Sequence, residues 1–269
     1  AQVRTASADE AGRARCELVI VPVLALAEYT QDTRIFQRAT VPAVLEELLT
    51  PLLERDQREL RFALQRDYPE REYVTQYRES ALTFAHRLMQ EEGIGYSFEQ
   101  TDEAEVLVLT DANASLAELD STRGAELHFT ARADVGVGDD QEYVSHLEQT
   151  ARLVPTSVVV TDFDWTAPAS PPAGEQRGED PVGRDHELHE HRSPGTIGGY
   201  DEGARRYQAH DHAEQARLRL EAASRDRRTL EGRSTVCGLT AGACAELVGH
   251  PVLGGEVLVT AVEHELVIE

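Results

Sequence analysis

The sequence predicts an α+β fold made mainly of β-strand, on three observations. Stretches with strand periodicity recur along the chain, as in Glu72–Arg78 and Ile94–Phe98, and Ser157–Thr161 adds a short β-branched run. They are rich in Val, Tyr, Phe and Thr, the residue types that suit a half-buried pleated surface. Only a few stretches carry helical spacing, and Gly or Pro stands at most of the joints between elements.

Taken in order, Ala1–Gly12 is small and polar and reads as a frayed loop. Arg13–Ala27 alternates and then becomes continuously apolar, which predicts one long strand with Pro22 at an edge or bulge. Thr40 can cap a helix whose first turn accepts Pro42, because a missing N–H breaks no intrahelical bond there. Val41, Val44, Leu45, Leu48, Leu49 and Leu52 form its apolar face, and Pro51 is expected to end or kink it. Leu60, Phe62 and Leu64 alternate as the next strand.

The most ordered stretch is Tyr68–Phe98. In Glu72–Arg78 the residues Tyr73, Thr75 and Tyr77 fall on one side, and Val74 and Gln76 on the other. Ser80 is placed to cap a helix carrying Ala81, Leu82, Phe84, Ala85, Leu88 and Met89 on one stripe. Gly93 suits the left-handed residue that closes such a helix, since it has no Cβ to clash. Ile94, Tyr96 and Phe98 follow as a strand, and Val106–Leu109 is expected to pair with it as a hairpin.

Asp111–Gln141 reads as an acidic loop region, with one strand at Leu127, Phe129 and Ala131. Tyr143–Thr150 shows no decisive period. Ser157–Thr161 predicts a strand continuing to Trp165, the only tryptophan. Pro171, Pro172, Gly174 and Pro181 mark a long exposed loop, which Asp185–Gly199 continues as a His-rich turn region. A helix is expected from about Asp201 to Ser224, with Ala209, Ala213, Ala216, Leu220 and Ala223 on one face. The tail reads as short strands and turns. The domain division expected is 1–38, 39–150 and 151–269.

The chain has 269 residues with 49 acidic and 26 basic side chains, every basic one an arginine, for a net charge of −23. That charge repels a phosphate backbone and an anionic bilayer, so neither nucleic-acid binding nor membrane anchoring is expected. Cys16, Cys237 and Cys244 are sparse and odd in number, which suggests a reducing compartment rather than a disulfide framework. The longest apolar run, Leu18–Ala27, contains Pro22 and is too short to span a bilayer. It also lacks the flanks of a signal peptide. The chain opens without methionine and is expected to begin partway into a domain.

The sharpest candidate for chemistry is His186-Glu187-Leu188-His189-Glu190-His191, with Asp185 beside it. Imidazoles are good ligands for divalent transition metals. A zincin helix needs HExxH, however, and the position four after His186 is Glu190, while the one four after His189 is Ser193. His210 and His212 flank Asp211 at a spacing that does not face one another on a helix. His250 and His264 read as histidines satisfied by backbone. There is no G-x-S-x-G elbow, no phosphate-binding glycine loop with its lysine, and no dinucleotide fingerprint. The expectation is no catalytic residue, no cofactor and no bound metal, with His186, His189 and His191 the candidate ligands should a metal be held.

Several ordered blocks carry a resemblance. Arg34-Ile35-Phe36-Gln37, Arg71-Glu72-Tyr73, Gln76-Tyr77-Arg78-Glu79-Ser80, Arg87-Leu88, Glu91-Glu92-Gly93-Ile94 and Tyr96-x-Phe98 lie in the first half. Gly238-Leu239-Thr240, His250-Pro251 and Leu258-Val259-Thr260 lie near the end. Together they resemble the VgrG family of type VI secretion spikes, which is related to the hubs of contractile phage tails. Departures include Val74 for a usual Cys, Ala81 for Asp, Val23 and Ala25 beside a proline usually flanked by Trp, and Ala241, Ala245 and Val257 for Pro, Phe and Tyr.

The resemblance implies two β-barrel-like hub domains with an inserted helix–strand module, in a homotrimer. It implies docking on a hexameric, Hcp-like tube protein, and a needle, a needle-tip protein and effectors carried by chain outside this portion. It further implies assembly in the bacterial cytoplasm, then secretion into a target cell, with no enzymatic role for the hub itself. Two other readings stand beside it: a metal-assisted hydrolase using Asp185, His186, His189 and His191, and the hub of a phage tail or extracellular contractile particle.

Overall fold

The computed structural model describes residues 2–5, 16–19, 21–101, 103–130, 142–171, 173–178, 186–192, 200–201, 203, 205–207 and 212–265. The strands β1 (Gln2–Thr5) and β2 (Cys16–Val19) pair as an antiparallel hairpin. The long strand expected over Arg13–Ala27 is not formed. Pro22 is followed by a 3₁₀ helix, Val23–Tyr29. With three residues per turn, Leu24 and Ala27 fall on one face, and both are buried. That spacing served burial better than an extended chain would.

A helix–strand module follows, as the spacing predicted. β3 (Gln31–Ala39) leads into α1 (Val41–Glu54), then β4 (Glu59–Ala63), β5 (Arg71–Ser80), α2 (Ala81–Glu92), β6 (Gly95–Gln100) and β7 (Glu105–Thr110). The caps are the expected ones. Thr40 Oγ1 accepts from the Ala43 N–H, Ser80 Oγ accepts from the Thr83 N–H at 3.1 Å, and Gly93 closes α2 at φ 64°. Ser80 thus starts the helix without the Asp that Ala81 replaces. Pro51 does not end α1, which runs through it to Glu54. Pro51 and Glu47, whose carbonyl it cannot serve, both lie on the exposed side, where that carbonyl is open to solvent.

β6 and β7 form the expected hairpin, and β4 joins β7 in parallel. β3 and β5 make a separate antiparallel ribbon. The two helices and the 3₁₀ helix fill the space between these sheets. Leu45, Leu49, Leu53, Phe84 and Leu88 are fully buried there, with Phe36, Val74, Leu107 and Leu109 from the strands.

A short strand β8 (Glu126–His128) lies within the acidic loop region; Phe129 adds one bridge, and Ala131 lies outside the described residues. The stretch without a decisive period is a strand, β9 (Val144–Ala151). β10 (Ser157–Asp162) stops short of Trp165. The Asp162 and Asp164 carboxylates accept the N–H groups of Phe163 and Thr166 and turn the chain there. β11 (Ala173–Arg177) pairs antiparallel with β10.

The His-rich loop is also corrected. Glu187–Arg192 is a strand, β12, paired in parallel with β10. Glu187–Arg192 holds no Gly or Pro to break an extended chain, and the backbone of β10 supplies the bonds. The helix expected from Asp201 begins only at His212. β13 (Tyr200–Asp201) and β14 (Arg206–Tyr207) pair before it, and α3 is His212–Ser224. Its apolar stripe, Ala216 and Leu220, exists only downstream of that point and covers Val158 and Val160 of β10. Ala209, His210 and Asp211 lie outside the described residues.

Finally β15 (Arg228–Ser234) pairs with β9, while β16 (Cys244–Val248) lies between β17 (Gly255–Leu258) and β8. Leu119, Leu127, Val144, Val236, Ala245 and Leu247 form the core between these two groups. Close backbone approaches lock the parts together. A Cβ on Gly174 would stand 2.1 Å from the His212 backbone, so α3 can rest on β11 only because that position is bare.

Asp111 ties the module to α3. Its carboxylate accepts from the Gln65 and Arg66 N–H groups at 2.8 and 2.9 Å and from the Tyr68 hydroxyl at 3.0 Å, and Arg66 reaches Glu214 at 3.0 Å. Burial pushes the Asp111 carboxyl up, but these donors and the Arg66 charge outweigh it and hold the group below its ordinary 3.8. Because the folded value lies below the unfolded one, the stability Asp111 contributes is complete above 3.8 and is lost as pH falls through the folded value. Asp111→Asn should therefore lower the melting temperature at neutral pH and flatten its fall as pH drops below about 4, read by circular dichroism.

Candidate assembly surface

The β3–β5 ribbon has two unlike faces, set by strand alternation. The inner face carries Arg34, Phe36, Val74 and Gln76. Gln76 is fully buried, and both ends of its amide are satisfied: its nitrogen donates to the Glu79 carbonyl, and its oxygen accepts from Arg34 Nε at 3.0 Å. The outer face carries Thr33, Ile35 and Gln37 against Tyr77, Thr75 and Tyr73. Ile35, Tyr73 and Tyr77 are 61, 64 and 62 % exposed, and Tyr29 stands just before the ribbon, also exposed.

A bulge finishes the surface. The register shifts between Asp32 and Thr33, which leaves Arg78 as the extra residue on β5, in the left-handed region at φ 51°. Its N–H donates to Thr33 Oγ1, and its guanidinium lies 5.3 Å from the centroid of the Tyr77 ring. Arg87 clamps the ribbon from α2, donating to the Thr75 carbonyl and the Glu79 carboxylate. The six outward positions hold no carboxylate, in a chain with 49 of them. Tyrosine-rich, carboxylate-poor patches of this kind are what protein–protein contacts favour. Sequence reading placed Tyr73, Thr75 and Tyr77 on one side of a strand. It did not single them out as functional, although alternation against buried Val74 and Gln76 was the available signal.

The histidines do not converge. His186 is exposed, and its backbone exchanges bonds with Thr156, whose N–H donates to the His186 carbonyl at 2.8 Å. His189 Nε2 meets the Glu187 carboxylate at 2.5 Å on the surface. Asp185 and the side chain of His191 lie outside the described residues. Among the described residues no three His, Cys, Asp or Glu side chains form a metal-binding group. His250 accepts the N–H groups of Val252 and Leu253 on Nδ1, and His264 meets the Leu239 carbonyl. No described helix is long and apolar enough to cross a membrane.

The sequence profile of the phage tail baseplate hub family (GPD) matches residues 1–268. The chain belongs to this family. Among curated relatives, the type VI secretion system spike protein VgrG1c of Pseudomonas aeruginosa is 30 % identical over 263 residues, 94 % of this chain and 33 % of that protein. The actin cross-linking toxin VgrG1 of Vibrio cholerae is 35 % identical over 153 residues, 57 % of this chain and 13 % of the toxin. This hub chain thus spans a third or less of the length of these relatives. Among solved structures, the Escherichia coli c3393 protein is described as a type VI secretion component with structural similarity to the phage T4 tail proteins gp27 and gp5. It matches 94 % of the hub chain and 50 % of its own, at a TM-score of 0.57 and 23 % identity. A tail protein from Neisseria meningitidis matches at 0.52 with 9 % identity, covering 87 % of the hub chain and 65 % of its own. At these identities the likeness is one of fold, and it agrees with the mainly-β, hub-like architecture.

Proposed function

We propose that this chain is the hub portion of a trimeric VgrG-type spike of a type VI secretion system. The observation that carries the reading is the family match along residues 1–268, joined by spike relatives at 30 % identity over 94 % of the chain. In this reading three copies form a ring that seats on a hexameric tube. Chain outside this portion bears the needle and effectors, and the particle assembles in the bacterial cytoplasm before delivery. The proposed division is a partial first barrel over 1–38, the inserted module over 39–150, and further barrel strands, the His-rich segment, α3 and the second barrel over 151–269. The role is mechanical, transmitting load between tube and needle, and no catalysis is assigned to this portion.

Native mass spectrometry with and without chelator tests it. The expected result is a trimer whose mass does not change on chelation. A monomer holding one tightly bound metal would overturn the reading in favour of His186, His189 and His191 as ligands. Mixing the trimer with a hexameric tube protein should give a complex of fixed stoichiometry. The paired change Tyr73→Glu and Tyr77→Glu places two carboxylates on the outer ribbon face without touching the core. It should shift trimer to monomer while leaving the far-ultraviolet circular dichroism of the folded chain unchanged, as expected for exposed positions.

A further inference from the structure

A groove of about 440 Å³ opens where the β9–β15 ribbon meets α3 and β10. Its walls are Leu153, Val154, Pro155 and Leu220, and its rim carries Arg152, Arg227 and Arg228, with Glu221 beside them. Leu153 is 80 % exposed, a large apolar side chain displayed at the mouth. The groove is held open by its frame. The Arg152 N–H donates to the Arg227 carbonyl, Ala151 pairs with Arg228, and the Gly178 N–H donates to the Thr156 carbonyl.

The charge at this place is opposite to that of the chain. Three arginines face the groove in a molecule of net charge −23. Among the described residues, the carboxylates near it are engaged. Glu221 pairs with Arg217, and Asp226 pairs with Arg225 at 3.0 Å, which with Arg152 close by holds the Asp226 carboxyl low. Arg228 makes no side-chain hydrogen bond or ion pair with the described residues. An exposed leucine between cations suits a ligand that offers an aliphatic side chain next to carboxylates.

We infer that this groove docks an extended segment of another polypeptide in which aliphatic side chains alternate with carboxylates. The aliphatic group lies against Leu153, Pro155 and Leu220, and the carboxylates meet Arg152 and Arg228. The site is separate from the ribbon face, so it stands whether or not the hub reading holds.

Fluorescence anisotropy of labelled pentapeptides added to the full chain tests it. One peptide alternates aspartate with leucine, one lysine with leucine, and one aspartate with serine. The aspartate–leucine peptide should bind about tenfold tighter than either control, and more weakly as salt rises from about 0.05 to 0.5 M. Arg152→Glu with Arg228→Glu should weaken it about tenfold, and Leu153→Ser several-fold, with the melting temperature unchanged. Equal binding of the three peptides, or unchanged affinity in the double variant, would overturn the inference. Equal binding of the two aspartate peptides, with displacement by citrate, would reduce the site to a simple anion site and also overturn it. So would loss of self-association in the double variant with no peptide bound by the parent chain, which would make the occupant a second copy.

Discussion

Phe84→Ala should lower the unfolding free energy by about 3–5 kcal/mol, read from urea denaturation. The ring is fully buried on α2 and sits where three elements meet. It stacks on Phe36 of β3 with centroids 5.7 Å apart, and the Arg87 guanidinium lies 5.1 Å from its centroid. Removing it deletes the Phe36 contact between ribbon and helix and leaves a cavity in a core whose other members, among them Leu45, Leu49 and Leu88, are fully buried. Leu82, on the same helix but only partly buried, should cost about 1 kcal/mol when cut to alanine. The effect should reach assembly. A ribbon that loses its backing presents Ile35, Tyr73 and Tyr77 in no single geometry, so on the proposed hub reading the variant should also assemble less well at temperatures where it remains folded.

The module was the legible part of the fold because its signals are local. Thr40, Ser80 and Gly93 act within one turn of themselves, and the stripes of α1 and α2 repeat within a dozen residues. What was not legible depends on partners far along the chain. Nothing near Glu187–Arg192 says that β10 lies alongside in parallel; that pairing joins residues about thirty apart through a segment with no period of its own. Gly174 looked like part of a loop, and only the arrival of His212 explains why the position is bare. The 3₁₀ helix at Val23–Tyr29 was hidden for another reason. Its apolar content is the same as a strand's, and only the i, i+3 pair Leu24 and Ala27 separates the two. At the candidate surface, the side of the strand that carries the tyrosines was readable. That this side stays uncovered was not, since exposure depends on where α1 and α2 pack.

Arg71→Ala should cost about 3–5 kcal/mol, although the residue touches no proposed partner. Arg71 is buried at the start of β5 and binds both acidic residues that end α2, Glu91 at 2.8 Å and Glu92. Burial alone would push its guanidinium down, but the charges of Glu92 and Glu91 more than offset this and hold it above the ordinary arginine value. It is therefore charged at every pH at which the protein folds. Glu92 is buried too, and Arg66 takes its backbone carbonyl rather than its carboxylate. Cutting Arg71 away thus strands a carboxylate inside the protein with no cation in contact, which is the costly way to break a buried pair. Arg71→Ala combined with Glu92→Gln should be less destabilised than the sum of the single changes, by about 1–3 kcal/mol in a double-mutant cycle. Arg71→Lys should recover only part of the loss, because one ammonium cannot serve two carboxylates in the forked geometry that Arg71 uses. Additive single changes would mean that Arg71 stabilises by packing its stem, and that the pair sets the direction in which β5 leaves α2 without adding stability.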